Sequence, residues 1–288
     1  MALEERDPHS GYMTTGHEWN GIKELNTPVP RAVYVFLVIT FAFSVVYWLL
    51  MPAWPLGATY TKGLLGVDQR TTVMESLRQA ALERQAWISQ IAKAGYADIE
   101  KDPRLMEIVR QSGRTLFRDN CAACHGRDAK GGHGFPNLTT SSWIWGGNPE
   151  AMAETIRVGV NSAHPKSRTS QMMAFGRDQL LPRGDLDNVV AYVRSLSAPS
   201  TAGNVAAGKA VFAANCASCH GEEGKGNADL GAPDLTDQVW VYGGDPQSIH
   251  DSVWAGRQGF MPSWEARLSD VERKILVLYV TDLRPHKP

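Results

Sequence analysis

The chain has 288 residues, enough for two globular units at about 150 residues per domain, and its 29 Lys and Arg against 30 Asp and Glu leave a formal charge of −1. With no basic excess to neutralise phosphates, nucleic acid is not an expected partner, and 43% hydrophobic against 20% charged residues sets aside disorder. The 4 cysteines, all used in two close pairs, are too few for a disulfide scaffold.

Residues 1–31 are polar and precede an uncharged run from Ala32 to Met51, AVYVFLVITFAFSVVYWLLM. As a helix, that run is about 30 Å long, the thickness of a bilayer core. A cleavable signal would begin nearer residue 1 and be shorter, so residues 32–51 are read as an uncleaved, single-pass membrane anchor. Tyr47, Trp48 and Trp54 suit one membrane interface. Arg6, Lys23 and Arg31 before the span and Lys62 and Arg70 after it orient it only weakly. Residues 52–102 form a spacer, with a helix from about Gln69 to Ala94 on the spacing of Val73, Leu77, Ala80, Ala81, Ile88 and Ile91.

From about Pro103 the chain repeats itself. RTLFRDNCAACHG (114–126) matches KAVFAANCASCHG (209–221), and FPNL (135–138) matches APDL (232–235). WIWGGNPEAMAETIRVG (143–159) matches VWVYGGDPQSIHDSVWAG (239–256), and QMMAFG (171–176) matches FMPSW (260–264). Each copy closes with a helical run, LDNVVAYVRSL or DVERKILVLYV. The period is that of a domain, longer than a solenoid repeat, which predicts tandem domains over 103–198 and 199–288 with SAPSTAGN (197–204) as linker. No alternating strand pattern persists, so the expected fold is all-α.

The chemistry lies in CAACH and CASCH. Cys-x-x-Cys-His is the attachment signature of c-type haem: two thiols one helical turn apart reach both vinyl groups of a porphyrin, and the adjoining His meets the iron. Cys121, Cys124, Cys216 and Cys219 are the expected attachment points, and His125 and His220 the proximal ligands. Zinc ligation and a redox cysteine pair are the alternatives; zinc needs four ligands, and the repeats supply no shared fourth. Each repeat also offers a downstream thioether, Met172 or Met173 in the first and Met261 in the second. Alignment sets Met172 on Met261 and Met173 on Pro262, favouring Met172. His/Met ligation raises the reduction potential and fills the sixth position, which suits electron transfer. Pro136 and Pro233, at similar distances after each motif, are candidates to offer a carbonyl to the His Nδ1 hydrogen. His133, His164 and His250 have no counterpart in the other repeat and are read as surface or structural, and GGHG (131–134) lacks the context of a phosphate loop.

Each repeat resembles a class I cytochrome c domain, with Gly113 and Phe117, or Gly208 and Phe212, on its first helix, then CxxCH, a Met loop, and a last helix carrying Tyr192 or Tyr279. In that family the terminal helices cross at the glycine. With HEWNGIKELNTPVPR (17–31) before the span, PAWP (52–55) after it, HPKSRTSQMMAFG and GRQGFMPSW, the whole chain is similar to the dihaem CcoP/FixP subunits of cbb3-type cytochrome c oxidases. It departs from that pattern with MMAF where MPAF is usual.

The resemblance implies one transmembrane helix followed by two tandem class I cytochrome c domains holding two covalent haem c groups. It implies a complex with a haem-copper catalytic subunit and a monohaem subunit, electrons arriving from soluble cytochrome c, and oxygen reduction left to the complex. It further implies the bacterial inner membrane, with the N-terminus cytoplasmic and the haem domains periplasmic. Each Met ligates the iron of its own repeat or, by exchange of loops, that of the other; the sequence leaves both open. A free-standing dihaem carrier would show the same haem domains but needs no specific lead-in such as HEWNGIKELN, and a haem sensor or peroxidase would need an open sixth position.

Overall fold

The structure, a computed structural model, describes residues 5–199 and 203–285. It divides into two compact units, Met1–Glu83 and Arg84–Pro288.

The first unit contains a hairpin of β1 (Thr14–Trp19) and β2 (Ile22–Leu25), with Trp19 opposite Ile22. The all-α expectation holds for the rest of the described residues, this hairpin being a small two-stranded exception that the sequence reading did not expect. Asn20 and Gly21 both have positive φ, 51° and 86°, the geometry of the two-residue turn that matches strand twist and selects Asn-Gly. Helix α1 (Arg31–Leu50) follows Pro30, buries none of its residues within the protein, and is long and apolar enough to cross a membrane. Its Thr and Ser hydroxyls are satisfied internally: Thr40 Oγ1 donates to Phe36 O at 2.9 Å and Ser44 Oγ to Thr40 O at 2.9 Å. The following loop returns to the end of α1, where Leu64 N–H donates to Leu49 O (2.9 Å) and Leu65 N–H to Leu50 O (3.1 Å), satisfying carbonyls that a helix end leaves unpaired.

Helix α2 (Gln69–Lys93) enters the second unit at Arg84, and α3 (Tyr96–Glu100) and α4 (Pro103–Asn120) follow. Next come α5 (Ala122–His125), α6 (Pro149–Val158), α7 (Arg183–Ser197), α8 (Val205–Asn215), α9 (Ala217–His220), α10 (Pro246–Ala255) and α11 (Asp270–Asp282). The starts are written in side chains: Asp102, Asn148, Asn204 and Asp245 cap α4, α6, α8 and α10, and Ser269 with Glu272 forms a capping box on α11.

These helices make two hydrophobic cores, and the repeats exchange their last helices between them. In the first core α11 packs on α4 and α6; in the second α7 packs on α8 and α10. The terminal helices do cross at the glycines, but with the other repeat's tyrosine. A Cβ on Gly113 would lie 2.6 Å from Tyr279 Cβ, and one on Gly208 would lie 2.8 Å from Tyr192 Cβ and 2.0 Å from Asn188 O. Phe117 then meets Tyr279 (centroids 5.8 Å apart) and Phe212 meets Tyr192 (5.2 Å).

The second core is therefore built from the Met172 segment, α7, α8 and α10, and lies in the chain between α6 and the Met261 segment of the first. The predicted linker SAPSTAGN has a different place. Ser200, Thr201 and Ala202 lie outside the described residues; the helices on either side, α7 and α8, pack on each other in the second core. The spacer also contributes to packing. Ile91 and Ile99 are fully buried in the first core, and Lys274 on α11 donates to Ile91 O (3.0 Å), Ala92 O (3.2 Å) and Ala94 O (2.8 Å), meeting the negative end of α2.

Candidate haem sites

Each CxxCH motif begins where a helix stops. Cys121 and Cys216 terminate α4 and α8 with nearly equal backbone angles (φ −116°, ψ −30° and −31°), and one further turn, α5 or α9, follows. That turn sets Cys121 and Cys124, or Cys216 and Cys219, three residues apart on one helical side. The first thiol of each pair is half-buried and the second exposed. Burial, aided by the neighbouring cysteine, pushes the Cys121 and Cys216 thiols up to about 11, so both are protonated at neutral pH.

The proline carbonyls stand where the sequence suggested. His125 Nδ1 donates to Pro136 O at 3.1 Å, and His220 Nδ1 to Pro233 O at 3.1 Å. Burial lowers the pKa of both imidazoles, against the raising effect of the carbonyl bond. The rings are thus neutral with Nδ1 protonated, which leaves Nε2 with its lone pair free for a metal. Two glycines that sequence reasoning passed over support this arrangement. Gly131 N–H donates to His125 O and Gly226 N–H to His220 O, both at 2.8 Å. Both have positive φ (68° and 79°), and a Cβ would strike the proline-bearing segment, 2.7 Å from Pro136 O or from Pro233 C. Each lies six positions after its histidine, so alignment of the repeats could have found them; the first glycine of GGHG thus supports the histidine.

The methionines are brought in by reciprocal backbone pairing. Val160 N–H donates to Met261 O and Met261 N–H to Val160 O, both at 2.9 Å; Met172 N–H donates to Arg257 O at 2.8 Å and Arg257 N–H to Met172 O at 3.1 Å. Gly159 and Gly256 permit the approach, since a Cβ there would lie 2.4 Å from Met261 O or 2.5 Å from Met172 O. Met261 packs in the hydrophobic cluster that contains Cys121, and Met172 in the cluster that contains Cys216. Met173 points elsewhere and is 55% exposed. His133, His164 and His250 engage other partners: His164 bonds Glu265 (2.7 Å), His133 lies edge-on to Tyr242, and His250 stacks on Trp254.

The residues present fit a covalently attached haem. Two thiols on one turn, one oriented neutral imidazole and one thioether in an apolar shell are the donors such a group takes. The Trp240 indole N–H is buried in the second core without a partner, and a buried donor of this kind calls for an acceptor such as a haem carboxylate. Its counterpart Trp143 donates to Thr140 O at 3.0 Å. Zinc fits less well: among the described residues no group of three or more His, Cys, Asp or Glu converges as a metal site.

Three family models match consecutive parts of the chain: the N-terminal domain of cytochrome oxidase-cbb3, FixP, over residues 11–58; cytochrome c over 111–197; and cytochrome c oxidase, cbb3-type, subunit III over 203–280. The cbb3-type cytochrome c oxidase subunit FixP of Bradyrhizobium sp. (strain ORS 278) is 46% identical over 281 residues, covering 97% of both chains. The chain belongs to the FixP/CcoP family of cbb3-type cytochrome c oxidase subunits. Another member, the subunit CcoP of Azospirillum brasilense, is 40% identical over 98% of this chain and 99% of its own. That of Cereibacter sphaeroides is 38% identical over 94% of each. The hairpin and α1 thus fall within the FixP N-terminal domain, and the two cytochrome c domains that follow in tandem bind haem c and indicate electron transfer.

Proposed function

We propose that the chain is the membrane-anchored dihaem subunit through which electrons enter a cbb3-type oxidase, with each haem closed by a methionine from the other repeat. Cys121 and Cys124 hold the first haem and Cys216 and Cys219 the second, with His125 and His220 as proximal ligands. Met261 serves the first iron and Met172 the second. When bound, haem c supplies reversible one-electron transfer between ferric and ferrous iron.

The chain's own residues fix the conditions for that transfer. The Pro136 and Pro233 carbonyls hold each imidazole in one tautomer. The backbone pairing of Val160 with Met261 and of Arg257 with Met172 holds each thioether-bearing segment against its core. A haem held by His125 and Met261, or by His220 and Met172, would leave no open site for oxygen, so oxygen reduction would fall to a haem-copper catalytic subunit reached by way of a monohaem subunit, with soluble cytochrome c as donor. Helix α1 spans the bacterial inner membrane, the N-terminal hairpin lies in the cytoplasm, and the haem cores lie in the periplasm, where c-type haem is attached.

The observation that carries this reading is the reciprocal placement of Met261 beside the first CxxCH and Met172 beside the second. Affinity purification from detergent-solubilised membranes, with haem staining and carbon monoxide difference spectra, tests it. Two covalent haems in the chain, co-purifying haem-copper and monohaem subunits, and no carbon monoxide binding at the chain's own haems are expected. Recovery of the chain alone, or carbon monoxide binding at both its haems, contradicts it.

A further inference from the structure

The two methionine strands are joined at one side chain that does not touch either motif. Asn161 follows Val160, the residue paired with Met261. Its Nδ2 donates to Gly259 O at 2.7 Å and to Ser170 O at 2.9 Å, while its Oδ1 accepts from Ser170 N–H at 3.2 Å. Gly259 lies two positions before Met261, and Ser170 two positions before Met172. One amide thus bonds the backbone of both Met-bearing strands. Its own backbone is held as well, Asn161 N–H donating to Arg168 O at 2.7 Å.

The position is conformationally demanding. Asn161 has φ of 50°, the left-handed region that Asn tolerates better than other residues with a Cβ. A site that needs both a left-handed backbone and a side chain offering two donors and an acceptor is filled by Asn. The opposite repeat has no equivalent: Gln258, aligned with Asn161 through Gly159 and Gly256, is exposed. Where the Met strands themselves pair reciprocally, this clamp is single, and both strands depend on it.

We propose that Asn161 is a positioning residue for both axial methionines, a single amide that sets the register of the Met172 and Met261 strands together and so couples the ligation of the two haems. The inference rests on the axial-ligand reading above. Without the amide, Ser170 O and Gly259 O lose their shared donor; the Met261 segment keeps its pairing with Val160 and the Met172 segment its pairing with Arg257 and the bond from Ser170 Oγ to Gly231 O, but nothing then ties the two segments to each other through one side chain. Both thioether-bearing segments then lose their common register, and with it the fixed position from which each would meet a haem.

Three variants of the full-length, haem-loaded chain separate the side chain from the backbone. Asn161→Gly keeps the left-handed turn at no steric cost but removes all three bonds. Asn161→Asp keeps the acceptor for Ser170 N–H and sets a carboxylate against two carbonyls. Asn161→Ala removes the bonds and strains the turn. The readouts are the far-red methionine-to-iron charge-transfer band, carbon monoxide binding and the midpoint potential of each haem, taken with covalent haem content. All three variants are expected to keep both haems attached, yet to lose band intensity and potential at both, with Asp at least as severe as Gly. A change confined to one haem, or Gly behaving as wild type while Ala does not, overturns the proposal, since the latter traces the effect to backbone strain alone. If the unsubstituted chain lacks the methionine band, the axial reading fails and the proposal falls with it. If that band is present and survives unchanged in Asn161→Gly, only the proposal falls.

Discussion

The two haem cores are built from matching parts but are wired into the chain differently. The second is a continuous run from the Met172 strand to Arg257. The first is assembled from two stretches, the spacer through Val160 and then Met261 through α11, with the whole second core between them. Continuity decides which core depends on the other. When the second core is folded, it holds the ends at Val160 and Met261 side by side; unfolded, it becomes a loop of about 100 residues whose closure costs roughly 4 kcal/mol. The first core is compensated by contacts that the second lacks: Ile91 and Ile99 from the spacer, the Lys274 cap on α2, and the Glu265 cluster beside its Met loop.

The largest effect should come from breaking one helix crossing at a time. A valine at Gly208 meets Asn188 O and Tyr192, and at Gly113 it meets Tyr279, in cores too dense to yield. Gly113→Val should abolish the first haem site and leave the second haem bound. Gly208→Val should abolish the second and also loosen the first, by up to the loop-closure cost. Pyridine haemochrome content and thermal melting of each variant check this; symmetric losses would remove the distinction between a continuous and an interrupted core.

A smaller effect is expected at the spacer. Ile91→Ala empties a fully buried position and should destabilise the first core by about 2–5 kcal/mol, read as an earlier denaturant midpoint at the first haem. If both haems shift together, the cores unfold as one.

The smallest effect is a response to acid. Hydrogen bonds from His164 and Arg157 hold the Glu265 carboxyl well below its ordinary 4.5, at about 2. A carboxyl with a depressed folded pKa stabilises above its unfolded value and loses that contribution as pH falls through the folded one. The Met261 loop should therefore loosen between about pH 4.5 and pH 2. Glu265→Gln should remove that dependence from the first haem's spectrum, and an unaltered acid titration would show that the cluster is inert.

Much of this was legible from residue order. The uncharged run 32–51 became α1, the helical apolar spacing from Gln69 became α2, and the proline carbonyls stand on the histidines. The crossing glycines were readable too, but their partners were not. Tyr192 and Tyr279 sit in equivalent contexts, so the helices that carry them fit either core by periodicity, and only loop lengths and packing choose. The Asn20-Gly21 turn announced the hairpin, but its flanking residues are too polar for an alternating pattern to register. Ile91 stood among the apolar positions of the spacer helix, but a helix polar along most of its length did not show which of them would be buried.

The exchange of ligands is tested most directly in chains carrying a single haem. With Cys121, Cys124 and His125 replaced by alanine, only the second haem remains, and with Cys216, Cys219 and His220 replaced, only the first. Met172→Ala should then abolish the methionine-to-iron band in the first of these chains and Met261→Ala should leave it intact, with the opposite result in the other chain. Loss of the band from the second haem on Met261→Ala, with Met172→Ala silent, would contradict the account.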